Sequence, residues 1–196
     1  TWRLLSDEER AVFNRLSVFQ GGFPREAAVE VAGASLPLLS ALIDKCFLHR
    51  ASEHRFEIHP ALRLYAAERL AVAERLAADP PAYAEARSHH ARYYSEWLSL
   101  MNEKLKGGEQ LAALAALRVE TQNLHDAWRW LIEQQDLERL HGLLPAMIQA
   151  LQASLAQGHP AISCGIIGPP EAGLVTGHAG DGAVLYGWSY FQEQMR

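Results

Sequence analysis

The hydrophobic period changes at Phe47, and this change constrains the fold more than any other feature of the chain. Before it, apolar residues recur at helical spacing: Val12, Phe13, Leu16 and Phe19, then Leu38, Leu39, Leu42, Ile43 and Phe47. After it, Phe47-Leu48-His49-Arg50 and Arg55-Phe56-Glu57-Ile58 alternate on either side of the polar turn Ala51-Ser52-Glu53-His54. Alternation around so short a turn predicts a β-hairpin.

Local punctuation divides the helical part. Ser6-Asp7-Glu8-Glu9 has the form of a capping box, with Trp2 or Leu5 as its hydrophobic staple. Gly21-Gly22 ends this first helix, and Pro24 opens a second over Arg25 to Val31. A third is predicted from about Leu36 to Cys46. A long helix from Pro60 to about Ala78 follows the hairpin, with Leu62, Tyr65, Ala66, Leu70 and Leu76 as its buried side. Three helices, a hairpin and a closing helix are the order of a winged-helix unit, expected for residues 1–78.

Asp79-Pro80-Pro81 marks a domain boundary. Residues 79–157 read as a helical bundle or the start of a repeat region. Helices are predicted over Tyr83 to about Met101, over Leu111 to Leu117 and Val119 to Gln134 (as one or two), and over Leu137 to Ala156, kinked or divided at Pro145. Gly158 to Gly182 holds seven glycines and three prolines and is expected to be a glycine-rich loop, with Ala161 to Ile167 as a candidate short buried segment. A last helix is predicted over Ala183 to Met195. Its Leu185, Gly187, Trp188 and Phe191 resemble the first helix of a tetratricopeptide-type (TPR) repeat, although no repeat period is visible. The expected fold is therefore mainly α: a winged-helix domain with a small β-hairpin, then an α-helical, TPR-like domain.

Composition narrows the function classes. With 49% hydrophobic residues in 196, the chain has material for a real core and is not a disordered chain. No apolar run approaches the ~20 residues that span a bilayer, so no membrane role is expected. The chain carries 18 Lys+Arg against 23 Asp+Glu. Residues up to Leu76 balance at ten of each, so neither part has the basic excess that neutralises phosphates, and no direct nucleic-acid contact is expected. Cys46 and Cys164, 118 positions apart, read as reduced thiols of a cytoplasmic protein. The opening Thr1-Trp2-Arg3-Leu4 lacks Met and reads as part of something longer.

Several segments, taken in order, resemble a known family. These are Leu5-Ser6-x-Glu8-Glu9-Arg10-x-x-Phe13-x-Arg15-Leu16-Ser17-Val18-Phe19-x-Gly21-Gly22-Phe23 and Glu26-Ala27-Ala28. They continue with Leu39-x-x-Leu42-Ile43-Asp44-Lys45-x-Phe47-Leu48 and Phe56-x-Ile58-His59-x-x-Leu62-Arg63-x-Tyr65-Ala66-x-Glu68-Arg69-Leu70. Their order is similar to the winged-helix segment of bacterial STAND-type signal-transduction ATPases, relatives of NB-ARC proteins that include LuxR-type and AfsR-type transcriptional regulators. His90-Ala91-x-Tyr93-Tyr94 and Glu120-x-x-Asn123-Leu124-x-x-Ala127-Trp128 resemble that family's following helical linker, so the likeness covers roughly residues 2–135.

The resemblance implies a regulatory and interaction fragment. Its winged helix would dock on the nucleotide-binding domain of the same polypeptide, and its helical part would sense a protein or small-molecule inducer. ATP or ADP is expected on the parent protein and no cofactor on this fragment, because G-x-x-x-x-G-K-[ST] does not occur; Lys106-Gly107-Gly108 has the order reversed. The fragment is thus not expected to be an enzyme, and no residue is assigned a catalytic role. The alternative is a DNA-binding winged-helix regulator with a helical dimerisation domain. Against it, the helix that would enter the major groove carries only Lys45 as a basic residue.

His59 is the candidate site residue. The resemblance gives it the role of contacting the diphosphate of bound ADP, as a nucleotide sensor; the residue-level alternative is a His that ties the hairpin to the next helix. Pro60 stands where the family motif has Asp, so a switch through that carboxylate is not carried over. His49, His54 and His59 recur every five residues, but no thiol or carboxylate completes a metal set, and none is expected. His90 reads as a packing residue. Glu120 and Asn123 read as neighbours on one helix face, and Trp128 as core filling.

Overall fold

The computed structural model describes residues 2–76, 82–158, 161–164, 172–179 and 184–189, with side chains over 2–68 and 82–158. Among the described residues there are seven α-helices and two small antiparallel sheets, so the fold is mainly α. No single helix among them is long and apolar enough to cross a membrane.

A 3-10 turn, Trp2–Leu4, leads into α1, Asp7–Leu16. The capping box is formed: the Ser6 hydroxyl accepts from the Glu9 amide, and the Glu9 carboxylate accepts from the Ser6 amide. Helix α1 buries Val12, Phe13 and Leu16. Phe23–Pro24 forms a short strand, β1, which periodicity does not reveal. Pro24 accordingly sits at the N-cap of α2, Arg25–Ala32, rather than at its first helical position. Gly33 closes α2 in the left-handed region (φ 66°), where a side chain would be strained. Ser35 caps α3, Leu36–Asp44, which buries Leu39 and Leu42.

The expected hairpin follows as β2, His49–Ser52, and β3, Arg55–Glu57. The sheet order is β1-β3-β2, with Phe23 opposite Phe56 and His49 opposite Glu57. Helix α4 spans Pro60–Leu76; of its expected buried face, Ala66 is fully buried, Leu62 and Tyr65 are half-buried, and the side chains of Leu70 and Leu76 lie outside the described residues. The boundary at Asp79-Pro80-Pro81 also falls outside them.

Helix α5 runs Ala82–Lys106, α6 Gln110–Glu133 and α7 Leu137–Ala156. Helix α6 is one helix, and α7 continues through Pro145 without dividing. The expected helix over Ala183 to Met195 is corrected: Val184–Ser189 is a strand, β6. It pairs antiparallel with β5, Ala172–Ala179, which also pairs with β4, Ala161–Cys164, so the loop expected over Gly158 to Gly182 is corrected as well: its described residues include two strands. Residues 190–195 lie outside the described residues. Val184, Tyr186 and Trp188 alternate and suit a strand, and Gly180-Asp181-Gly182 just before them is a turn signal, so the run is better read at period two.

The chain divides into two compact units. The first holds residues up to Trp97 with Val119–Leu140, and the second Leu98–Arg118 with His141–Arg196. This division cuts across helices instead of falling at 79 and 158: α5, α6 and α7 each contribute residues to both units. In the first unit Trp2 packs on Phe13, Phe47 and Tyr65, with ring centroids 5.4–6.4 Å apart. A second cluster stacks Phe19 on Phe23 at 4.4 Å, with His90 and Tyr94 edge-on to Phe19. In the second unit Leu98, Leu105, Ala113, Leu117, Leu143 and Ala153 are among the buried apolar residues.

Candidate functional site

Two features of the first unit involve chemistry-bearing side chains: a buried polar network and an open cleft. The network centres on Glu120 of α6, 4% exposed. Its carboxylate pairs with the Arg55 guanidinium from β3 and accepts from the Tyr94 hydroxyl of α5 and the Asn123 amide, both at 2.9 Å. Arg55 and Asn123 also both donate to the Gly22 carbonyl, at 2.6 and 3.0 Å. The Asn123 side-chain oxygen accepts from the Gln20 amide at 2.9 Å. The hairpin, the Gly21-Gly22 turn, α5 and α6 thus share one set of hydrogen bonds. A buried carboxylate is tolerable only when supplied with donors in this way.

Burial first, and then the neighbouring Glu120 carboxylate, push the Tyr94 hydroxyl well above its ordinary range, and the Tyr93 hydroxyl up to about 12. Tyr94 therefore stays protonated and can donate. His90, packed between Phe19 and Tyr94, is held down at about 4 chiefly by burial, with the Arg87 charge lowering it further and Asn123 opposing. It is neutral at pH 7, and its Nε2 has no hydrogen-bond partner. The packing role expected for His90 is observed.

The cleft, about 640 Å³, is lined by residues of the hairpin, the start of α4 and α6. His59 lines it and is exposed. The residue stands at the start of α4, where its Nδ1 accepts the Ala61 amide at 3.3 Å and its carbonyl accepts from Leu62 and Arg63. Because Nδ1 is the acceptor, the proton of a neutral ring belongs on Nε2, which makes that atom a donor. Arg63, one turn later, lines the same cleft, as do His125 and Arg129 of α6. His49 pairs with Glu57 across the strands at 3.0 Å. Asp126 holds Arg129 at 3.3 Å, with His125 at 3.9 Å.

The spacing-based pair Glu120 and Asn123 is brought together, whereas Trp128 is only half-buried. Arg55 and Tyr94, the partners of Glu120, carry no sequence signal of their pairing. The cleft residues Arg63, His125 and Arg129 were equally unmarked, although His59/Arg63 and His125/Arg129 repeat at i, i+4 and so share helix faces. His54 is exposed, and no group of three metal-ligating side chains occurs among the described residues. Lys45, the basic residue next to α3, is committed to Glu9 at 2.6 Å. The Lys45 ammonium, by its hydrogen bonds, holds the Glu9 carboxyl below its ordinary value. Compared with known proteins, the chain matches no family model, no curated protein and no solved structure.

Proposed function

We propose that this chain is the regulatory and interaction part of a STAND-type signal-transduction ATPase that acts in transcriptional regulation. Residues up to α4 are read as a winged helix that docks on a nucleotide-binding core outside these 196 residues. The α-helical region is read as a TPR-like element that senses a ligand or protein.

The observation that carries this reading is the setting of His59. Its Nδ1 is occupied by the Ala61 amide, so Nε2–H remains as a donor at an open cleft, as a contact to a nucleotide phosphate requires. The element order α1-β1-α2-α3-β2-β3, with its β1-β3-β2 sheet, is compatible with a winged helix. Under this reading hydrolysis falls to that core, in keeping with a sequence in which the P-loop motif does not occur. Switching by such a module needs differential affinity: it must bind the ADP form of the core more tightly than the ATP form.

The test is docking of this chain on the nucleotide-binding module encoded with it, loaded with ADP or ATP. Tighter docking to the ADP form is expected. His59→Asn, which keeps a helix-capping acceptor but loses the ring donor, should diminish that preference. Equal docking to both forms would contradict the reading. Tight, salt-sensitive binding to duplex DNA would favour the DNA-binding alternative instead.

A further inference from the structure

Arg63 is the unmatched charge in the cleft. Glu57 is engaged by His49, and Asp126 by Arg129 and His125. Arg63 is half-buried and has neither an ion-pair nor a hydrogen-bond partner among the described residues. A guanidinium carries five N–H donors in a rigid fork suited to carboxylate or phosphate oxygens. His59, just before the first residue of α4, lines the same cleft and adds its Nε2–H, and α6 adds His125 and Arg129 to the lining. The cleft volume of about 640 Å³ is that of a small-molecule site and exceeds what one monatomic ion would fill.

We propose that this cleft is a binding site for a small multivalent oxyanion, anchored on the Arg63 guanidinium and completed by His59 and His125. The site shares His59 with the reading above but does not depend on it, because binding here is a property of this chain alone and needs no core. Two sources offer the same oxyanion chemistry: a phosphorylated compound and a polycarboxylate.

Isothermal titration of the whole chain with inorganic pyrophosphate, and separately with citrate, tests the site and distinguishes the sources. One saturable site is expected for at least one anion, and the tighter of the two identifies the ligand class. Arg63→Gln should weaken binding about tenfold or more, the usual weight of a charge-assisted hydrogen bond. Arg63→Lys should fall between, since it keeps the charge but loses the fork. His125→Gln should weaken binding by a smaller factor. Arg50→Gln, an equal charge loss on the exposed strand β2 and outside the cleft lining, should leave binding unchanged. If Arg63→Gln does not fold, the lysine and His125 variants carry the comparison. Saturation by neither anion, or an equal loss in Arg50→Gln and Arg63→Gln, overturns the proposal.

Discussion

Glu120 shows how one residue can tie distant parts of a chain. It lies 65 positions from Arg55 and 26 from Tyr94, and both bond its carboxylate. Removing one member of a buried ion pair leaves the other uncompensated. Glu120→Gln is therefore expected to destabilise the protein by about 3–5 kcal/mol in urea unfolding. Tyr94→Phe takes away one donor and should cost about 1–3 kcal/mol. His90 adds a pH dependence. Unfolding releases it to its ordinary value near 6.5 from about 4, so the unfolded chain binds more protons between these values. Its contribution is fully present above pH 6.5 and is lost as pH falls toward 4, a total of about 3 kcal/mol. In His90→Leu the slope of stability against pH across that window should flatten. Of this network only Glu120 with Asn123 was legible, because three-residue spacing is a local property, while the choice of Arg55 and Tyr94 as partners is made by the fold.

At the scale of elements, local signals were read well where they are self-contained. The capping box at Ser6 and Glu9 is formed as its residues dictate, and Ser6→Ala should lower stability by about 1 kcal/mol. The hairpin was legible because a change of period is itself a local pattern. Strand β1 was not, since two residues have no period and Phe23–Pro24 is a strand only because β3 lies beside it. At 184–189 the sequence is ambiguous between helix and strand: Leu185, Gly187 and Trp188 satisfy a helical template, whereas Val184, Tyr186 and Trp188 alternate, and the segment is a strand. Cys46 adds a conformational cost at the end of α3: it holds φ at 62°, and it is exposed. Cys46→Gly should raise stability by up to about 1 kcal/mol, read as a higher melting temperature.

For the whole molecule, the sequence indicated a mainly α chain. The Pro-Pro break lies outside the described residues, and among those described α5, α6 and α7 each contribute to both compact units. The Glu120 network accounts for this in the first unit, since it joins the hairpin to α5 and α6. The chain carries a net charge of −5, and Lys45, beside α3, is paired with Glu9. The most direct measurement is the affinity of this chain for the nucleotide-binding module that the proposal places outside it, taken once with ADP bound and once with ATP. A several-fold tighter complex with ADP, reduced in His59→Asn, is the predicted result. Equal affinities in the two states, or a gene that encodes no such module beside this chain, would contradict it.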